Sequence, residues 1–372
     1  MNVTQPTQTD QWLNIELETK PDFEMAMKRI YAWFEQEIID RPPVRFTRHN
    51  AEYEEASHDW KPEWKELKDR WFDVEYNLER FLKELESKRF LGETFPVFWP
   101  NLGPNFFSAC YGVPQVFGEV TSWAEPDLEA YGEPRRFDFE HEFMRKMVEF
   151  TQAALEICDG KFIVGYTDLH GGLDWLMAQR GSERLCMDLY EYPDDVKRYL
   201  DVVIEDFLKV YDYFHDMLRS HGQPSVTWMN IPSFGKLHIP SADFATMISK
   251  RHFDEFVYPT LEKECLHMTH NIFHVDGKGV ARHLDRILEL PNLQAIQWVQ
   301  GVGDDWPIMQ WVPLIQRIQA AGKSVVVDMD LKDLDAFMEA VKPEGILLCL
   351  PSENEEEELE VLKRLEKWTG KN

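Results

Sequence analysis

His270-Asn-Ile-Phe-His-Val-Asp-Gly-Lys-Gly279 sets a short apolar run against a glycine turn. Its composition predicts a strand from Asn271 to Asp276. His274 and Asp276 are two residues apart, so strand alternation puts both side chains on one face, at the strand's end. Other short apolar runs lie on either side, at 40–49, 95–101, 162–168, 225–231, 295–300, 324–330 and 345–350. Most end in polar or aromatic residues and lead into helical spacing. Eight such units predict an α/β fold, a single (β/α)8 TIM barrel with its site at the C-terminal strand ends. An open doubly wound sheet is the rival. Neither G-x-G-x-x-G nor a Walker A sequence is present to favour it.

Residues 1–20 read as a polar arm. The spacing of Phe23, Met27, Ile30, Phe34 and Ile38 predicts a helix. Residues 1–40 therefore precede the barrel as an N-terminal helical extension, and 41–372 form it, with insertions at 51–92 and 104–134. The first insertion is charged and Trp-rich with helical periodicity. The second, with Pro104, Pro114, Gly118 and Pro126, reads as a functional loop or a lid.

The 372 residues are 44% apolar, enough for a large core. A formal net charge of −27 argues against nucleic acid and anionic membrane surfaces as partners. No apolar run reaches the ~20 residues that span a bilayer. The first ten residues lack the basic and apolar regions of a signal peptide. The five cysteines are widely spaced with no Cys-x-x-Cys. A cytoplasmic location is the expectation.

Besides His274 and Asp276, Asp168 and His170 form a carboxylate–imidazole pair ahead of two glycines, suited to acid–base work or to helix capping. Arg48 and His49 end the first strand, where a guanidinium suits a substrate carboxylate or phosphate, or pairs with the acidic stretch beyond it. Trp99, Trp228 and Trp298 each stand two residues before an amide, Asn101, Asn230 and Gln300. Period two would place ring and amide on one face. Together they would make an aromatic wall for a ring-shaped or sugar-like substrate, or merely fill the barrel's upper layer. Asp304, Asp305, Asp328 and Asp330 are further strand-end acids.

Residues 25–368 resemble the uroporphyrinogen decarboxylase superfamily of (β/α)8 barrels. Three segments carry the resemblance: Arg41-Pro-Pro-Val-Arg-Phe-Thr-Arg-His-Asn-Ala-Glu-Tyr53, Ser241 to Pro259, and Phe273-His-Val-Asp-Gly277. The last is similar to the His-x-Cys-Gly segment of the superfamily's zinc-dependent methyltransferases. The decarboxylase holds substrate carboxylates with two arginines of its opening strand. Arg48 matches the first, but Glu52 replaces the second, and 93–101 offers no match for its catalytic aspartate. The methyltransferase branch is the nearer one.

The resemblance implies a zinc ion held by His274, by Asp276 in place of the family's first cysteine, and by Cys349 near the last strand. It also implies methyl transfer involving a small organic substrate and a corrinoid. No Asp-x-His-x-x-Gly carrier motif occurs here, so the corrinoid would ride on a separate carrier protein. A metal-free decarboxylase or lyase acting on a smaller carboxylate is the second reading. A non-catalytic ligand-binding barrel is the third.

Overall fold

The computed structural model describes residues 15–48, 60–86 and 89–369. The strands are β1 (Val44–Arg48), β2 (Val97–Phe98), β3 (Gln115–Phe117), β4 (Ser122–Ala124), β5 (Ile163–Val164), β6 (Leu237–His238), β7 (His270–Asp276), β8 (Leu293–Val299), β9 (Ser324–Asp328) and β10 (Ile346–Ser352). Six of them form one parallel sheet in the order β1-β10-β9-β8-β7-β6, and β2 pairs with β5 in a second parallel sheet. β3 and β4 make an antiparallel hairpin.

Eight parallel strands thus follow one another in the expected chain order, but as six plus two rather than one continuous eight-stranded ladder. The two seams have local causes. Between β1 and β2 a side chain takes the place of a ladder: the Val44 N–H donates to the Glu93 carboxylate at 2.8 Å, and the Glu93 N–H donates to Val44 O at 2.7 Å. Between β5 and β6, the Tyr166 N–H donates to Val226 O at 2.8 Å and the Tyr166 hydroxyl donates to Leu237 O at 2.9 Å.

The strand expected at 225–231 is therefore displaced. That segment meets Ser233 in an isolated antiparallel bridge and turns at Asn230, in the left-handed region at φ 54°. Asparagine tolerates that conformation, and Pro232 has no N–H to give a ladder. The strand that pairs with β7 is Leu237–His238 instead.

Alternation sorts the side chains into two cores. Val97, Ile163, Leu237, Ile272, Ala295, Val326 and Leu347 share one apolar cluster, which joins the inner faces of both sheets. Val164, Phe273, Val275, Ile296, Val325, Val327 and Leu348 face the surrounding helices. Helix α1 (Phe23–Phe34) completes the inner cluster from below. It crosses the N-terminal strand ends: the Trp33 Nε1–H donates to Gly345 O at 3.0 Å, the Ser324 hydroxyl donates to Trp33 O, and Phe34 stacks on His270. Of the predicted apolar stripe, Phe23, Met27, Ile30 and Phe34 are buried, while Ile38 lies past the helix end and is half-buried.

Among its described residues the first insertion forms two helices, Leu67–Phe72 and Val74–Glu86. Asp73 divides them, its carboxylate accepting from the Tyr76 N–H, Lys61 Nζ and Trp64 Nε1. The second insertion carries the β3–β4 hairpin and a return segment pinned to the body. Arg180 donates to the main chain at Leu128 and Glu129, pairs with Asp188, and lies over the Tyr131 ring.

Candidate active site

The register of the six-stranded sheet builds the site. Arg45 pairs with Cys349, and Cys349 with Asp328, so three inward-facing polar side chains stand in a row across β1, β10 and β9. His274 pairs with Gln297 across β7 and β8, and its Nδ1–H donates to Gln297 Oε1 at 2.6 Å. In that bond the amide oxygen accepts, so Nδ1 carries the hydrogen. The Trp228 ring meets His274 edge-on at 5.4 Å, and Arg45 donates to the carbonyl of Met229. Residues 228–229 therefore close one side of the row.

Burial pushes the Asp328 carboxyl up, against the charges of Arg45 and His274. Burial also pushes the Cys349 thiol up to about 12, and Asp328 adds to this while Arg45 opposes it. Cys349 is 3% exposed and stays a thiol at neutral pH.

A second group lies beside this row. His170 Nε2 is 2.9 Å from Asp168 Oδ2, and His170 Nδ1 is 2.8 Å from Ser241 Oγ. Burial alone would lower His170, but Asp168 outweighs it and holds the imidazole at about 9, so both ring nitrogens donate at neutral pH. The His274 N–H donates to Pro240 O at 2.9 Å, which brings Ser241 beside β7.

The structure sorts the expected residues. His274 and Asp276 share the inner face as alternation requires, with Asp276 exposed at the rim. Asp168 and His170 do pair. Arg48 does not point a free guanidinium at the mouth: it pairs with the buried Glu358 of the C-terminal helix at 2.8 Å. His49, the acidic 51–59 stretch with Glu52, and the arm 1–14 lie outside the described residues.

Trp99 and Trp228 pack on the inner cluster, but Trp298 faces outward and meets Trp311 at 4.9 Å. Trp298 therefore does not stand with Trp99 and Trp228, because parity along β8 sends Gln297 inward and Trp298 outward. Gln300 Nε2 donates to Asp328 O and Trp306 O while its buried Oε1 has no partner among the described residues, and Asn101 accepts from the Gly103 N–H. The buried Trp99 Nε1, Thr167 Oγ1, Thr227 Oγ1 and Asn230 Oδ1 have no hydrogen-bond partner among the described residues. These orphaned groups, from the ends of β2 and β5 and the turn before β6, suit a ligand bearing polar atoms.

The three expected zinc ligands do not form a group, and no set of three His, Cys, Asp or Glu side chains among the described residues is placed to hold a metal ion. Cys349 is a buried neutral thiol next to the Arg45 cation, while Asp276 stands in solvent at the rim. The Arg45 guanidinium beside Cys349 is a competing cation where a zinc ion would need open donors.

Sequence reasoning does not single out Arg45, Gln297 or Ser241, and Asp328 appears in it only among the strand-end acids. Arg45 and Gln297 carry one usable signal: each is polar inside a buried parallel strand, where a continuous apolar run is the rule.

No protein-family model matches this chain, and no curated protein is similar to it in sequence. Among solved structures, the fold is similar to that of a methyltransferase from Methanosarcina mazei, with a TM-score of 0.61 over 92% of this chain and 98% of that one. At 13% identity the likeness establishes a shared fold. Among the described residues, no helix is long and apolar enough to cross a membrane.

Proposed function

We propose that this chain is a methyltransferase-like enzyme of the uroporphyrinogen decarboxylase superfamily, acting on a small organic substrate at the C-terminal strand ends. The observation that carries the reading is the inward row Arg45–Cys349–Asp328 beside the oriented His274–Gln297 pair. The fold likeness to a methyltransferase and the sequence resemblance at 273–277 support it.

In this reading Trp99 and Trp228 bracket the substrate, and the orphaned polar groups meet its heteroatoms. Arg45 and Asp328 orient it. The methyl group passes to a nucleophilic acceptor, a corrinoid on a separate carrier protein. The bonding pair stays on the donor's heteroatom, which takes a proton from the Asp168–His170 pair. No step runs through zinc.

The test is methyl transfer from small methyl ethers and methylamines to a reduced corrinoid, followed by its absorbance. Wild type should turn over, and His274→Ala and Asp328→Asn should each lose about 10²–10⁴-fold. Absence of transfer from every donor class sinks the proposal.

One observation favours a second reading, decarboxylation of a small acid. Arg45 lies inside the row with its guanidinium next to Asp328, in place of the engaged Arg48. Release of CO2 from small carboxylates, lost in Arg45→Met, would establish it.

A further inference from the structure

The orphaned polar groups at the strand ends differ in what they need, and the difference constrains the ligand. Trp99 Nε1–H can only donate, the Thr167 hydroxyl both donates and accepts, and Asn230 Oδ1 can only accept. All three atoms are buried, and none has a partner among the described residues. Ile163 belongs to the inner cluster, while Val164 and Tyr166 belong to the outer one. Alternation therefore turns Gly165 and the fully buried Thr167 inward. A Cβ on Gly165 would stand 3.6 Å from Trp99 Cδ1, the ring carbon bonded to Nε1. The indole N–H and the Thr167 hydroxyl thus lie beside a stretch of bare backbone. Asn230 ends the turn that sets the Trp228 ring edge-on to His274.

Neither sign of charge suits this set. Arg45 and Asp328 stand on either side of Cys349, so the row carries one guanidinium and one carboxyl. A methylammonium ligand would meet the guanidinium, and it has no acceptor for the indole N–H. A carboxylate would meet Asp328, and it has no hydrogen to give Asn230. A hydroxyl group does both, and several on one ring serve all three orphaned groups together. Trp99 and Trp228, packed on the inner cluster, offer flat apolar faces to the C–H side of such a ring.

We infer that the strand ends bind a neutral, polyhydroxylated ring of the sugar or cyclitol class, and that the methyl donor is a methyl ether of such a ring. The inference rests on the reading of the strand ends as the substrate site and narrows its donor from ethers and amines to one kind of ether. The CH3–O bond breaks, and the methyl group goes to the reduced corrinoid. The bonding pair stays on oxygen, which takes a proton and becomes a free hydroxyl.

The test is calorimetric titration of the full chain with no corrinoid present. The neutral probes are mono-O-methyl ethers of glucose, galactose and inositol. The charged probes are tetramethylammonium and methoxyacetate. At least one neutral ether should bind, and both charged probes should bind at least tenfold more weakly. Thr167→Val keeps the shape and Trp99→Phe keeps a ring, and each removes one orphaned polar group. Each should weaken ether binding roughly tenfold. Thr167→Val breaks no hydrogen bond among the described residues, so its denaturation midpoint should not fall. Failure of every neutral ether to bind overturns the inference. So does a charged probe that binds more tightly, or an ether affinity that either variant leaves unchanged. Ether binding without methyl transfer to a corrinoid sinks the functional reading and leaves the ligand class standing. Transfer from a methylamine, with no ether bound, does the reverse.

Discussion

Glu264, in the helix Tyr258–His267, is a buried carboxyl with no hydrogen bond among the described residues, and it carries a consequence for stability. Its folded-state proton affinity is raised to about 8 from an ordinary 4.5. Below the ordinary value both folded and unfolded chains hold this proton, and its contribution to stability is intact. As pH rises from about 4.5 through about 8, the unfolded chain ionises first and stability is lost. Glu264→Gln keeps the shape and removes that loss. The variant should be more stable than wild type at pH 7.5, on the order of 1–3 kcal/mol, and equal to it at pH 4.5. Chemical denaturation at the two pH values checks this, and a gain of equal size at both would show that the charge is not the cause. His238 has the opposite sign: its lowered affinity costs stability as pH falls below about 6.5 toward 3.

Among the elements, the return segment of the second insertion is held by contacts centred on Arg180, with the Leu128 N–H donating to Gln179 O and the Tyr131 hydroxyl donating to Asp188. Arg180 and Asp188 form a buried bidentate pair, and the same guanidinium bonds the main chain at Leu128 and Glu129. Removing one partner of a buried pair strands the other's charge, at a cost of roughly 3–5 kcal/mol. Arg180→Met should lower stability by about that much and open 127–132 to limited proteolysis. A variant as resistant as wild type would show that the segment is held by other contacts.

The elements also show which features were legible. β7 could be read because its alternation and its glycine stop lie within ten residues. β6 could not, because the choice between 225–231 and 237–238 is made by pairing with β7 and by the turn at Asn230. Trp298 and Gln297 exchange faces for a similar reason: parity along β8 depends on which side the helices pack. Asp168 with His170 was readable as a local pair. The row Arg45–Cys349–Asp328 was not, because it joins residues some 300 apart through register alone.

At the scale of the whole molecule, α1 ties the two sheets together. Trp33 is fully buried, packs in the inner cluster, and donates across 312 residues to Gly345. Trp33→Ala should cost about 3–5 kcal/mol, seen as a lower denaturation midpoint with an unchanged denaturant slope. A loss below 1 kcal/mol would mean that the lower end of the core stands without the helix.

Because α1 stoppers the N-terminal strand ends, a ligand of the inward row meets the protein from the C-terminal side. In the proposed reading the methyl donor and the acceptor then share that side, and an unreactive analogue of one should compete with the other.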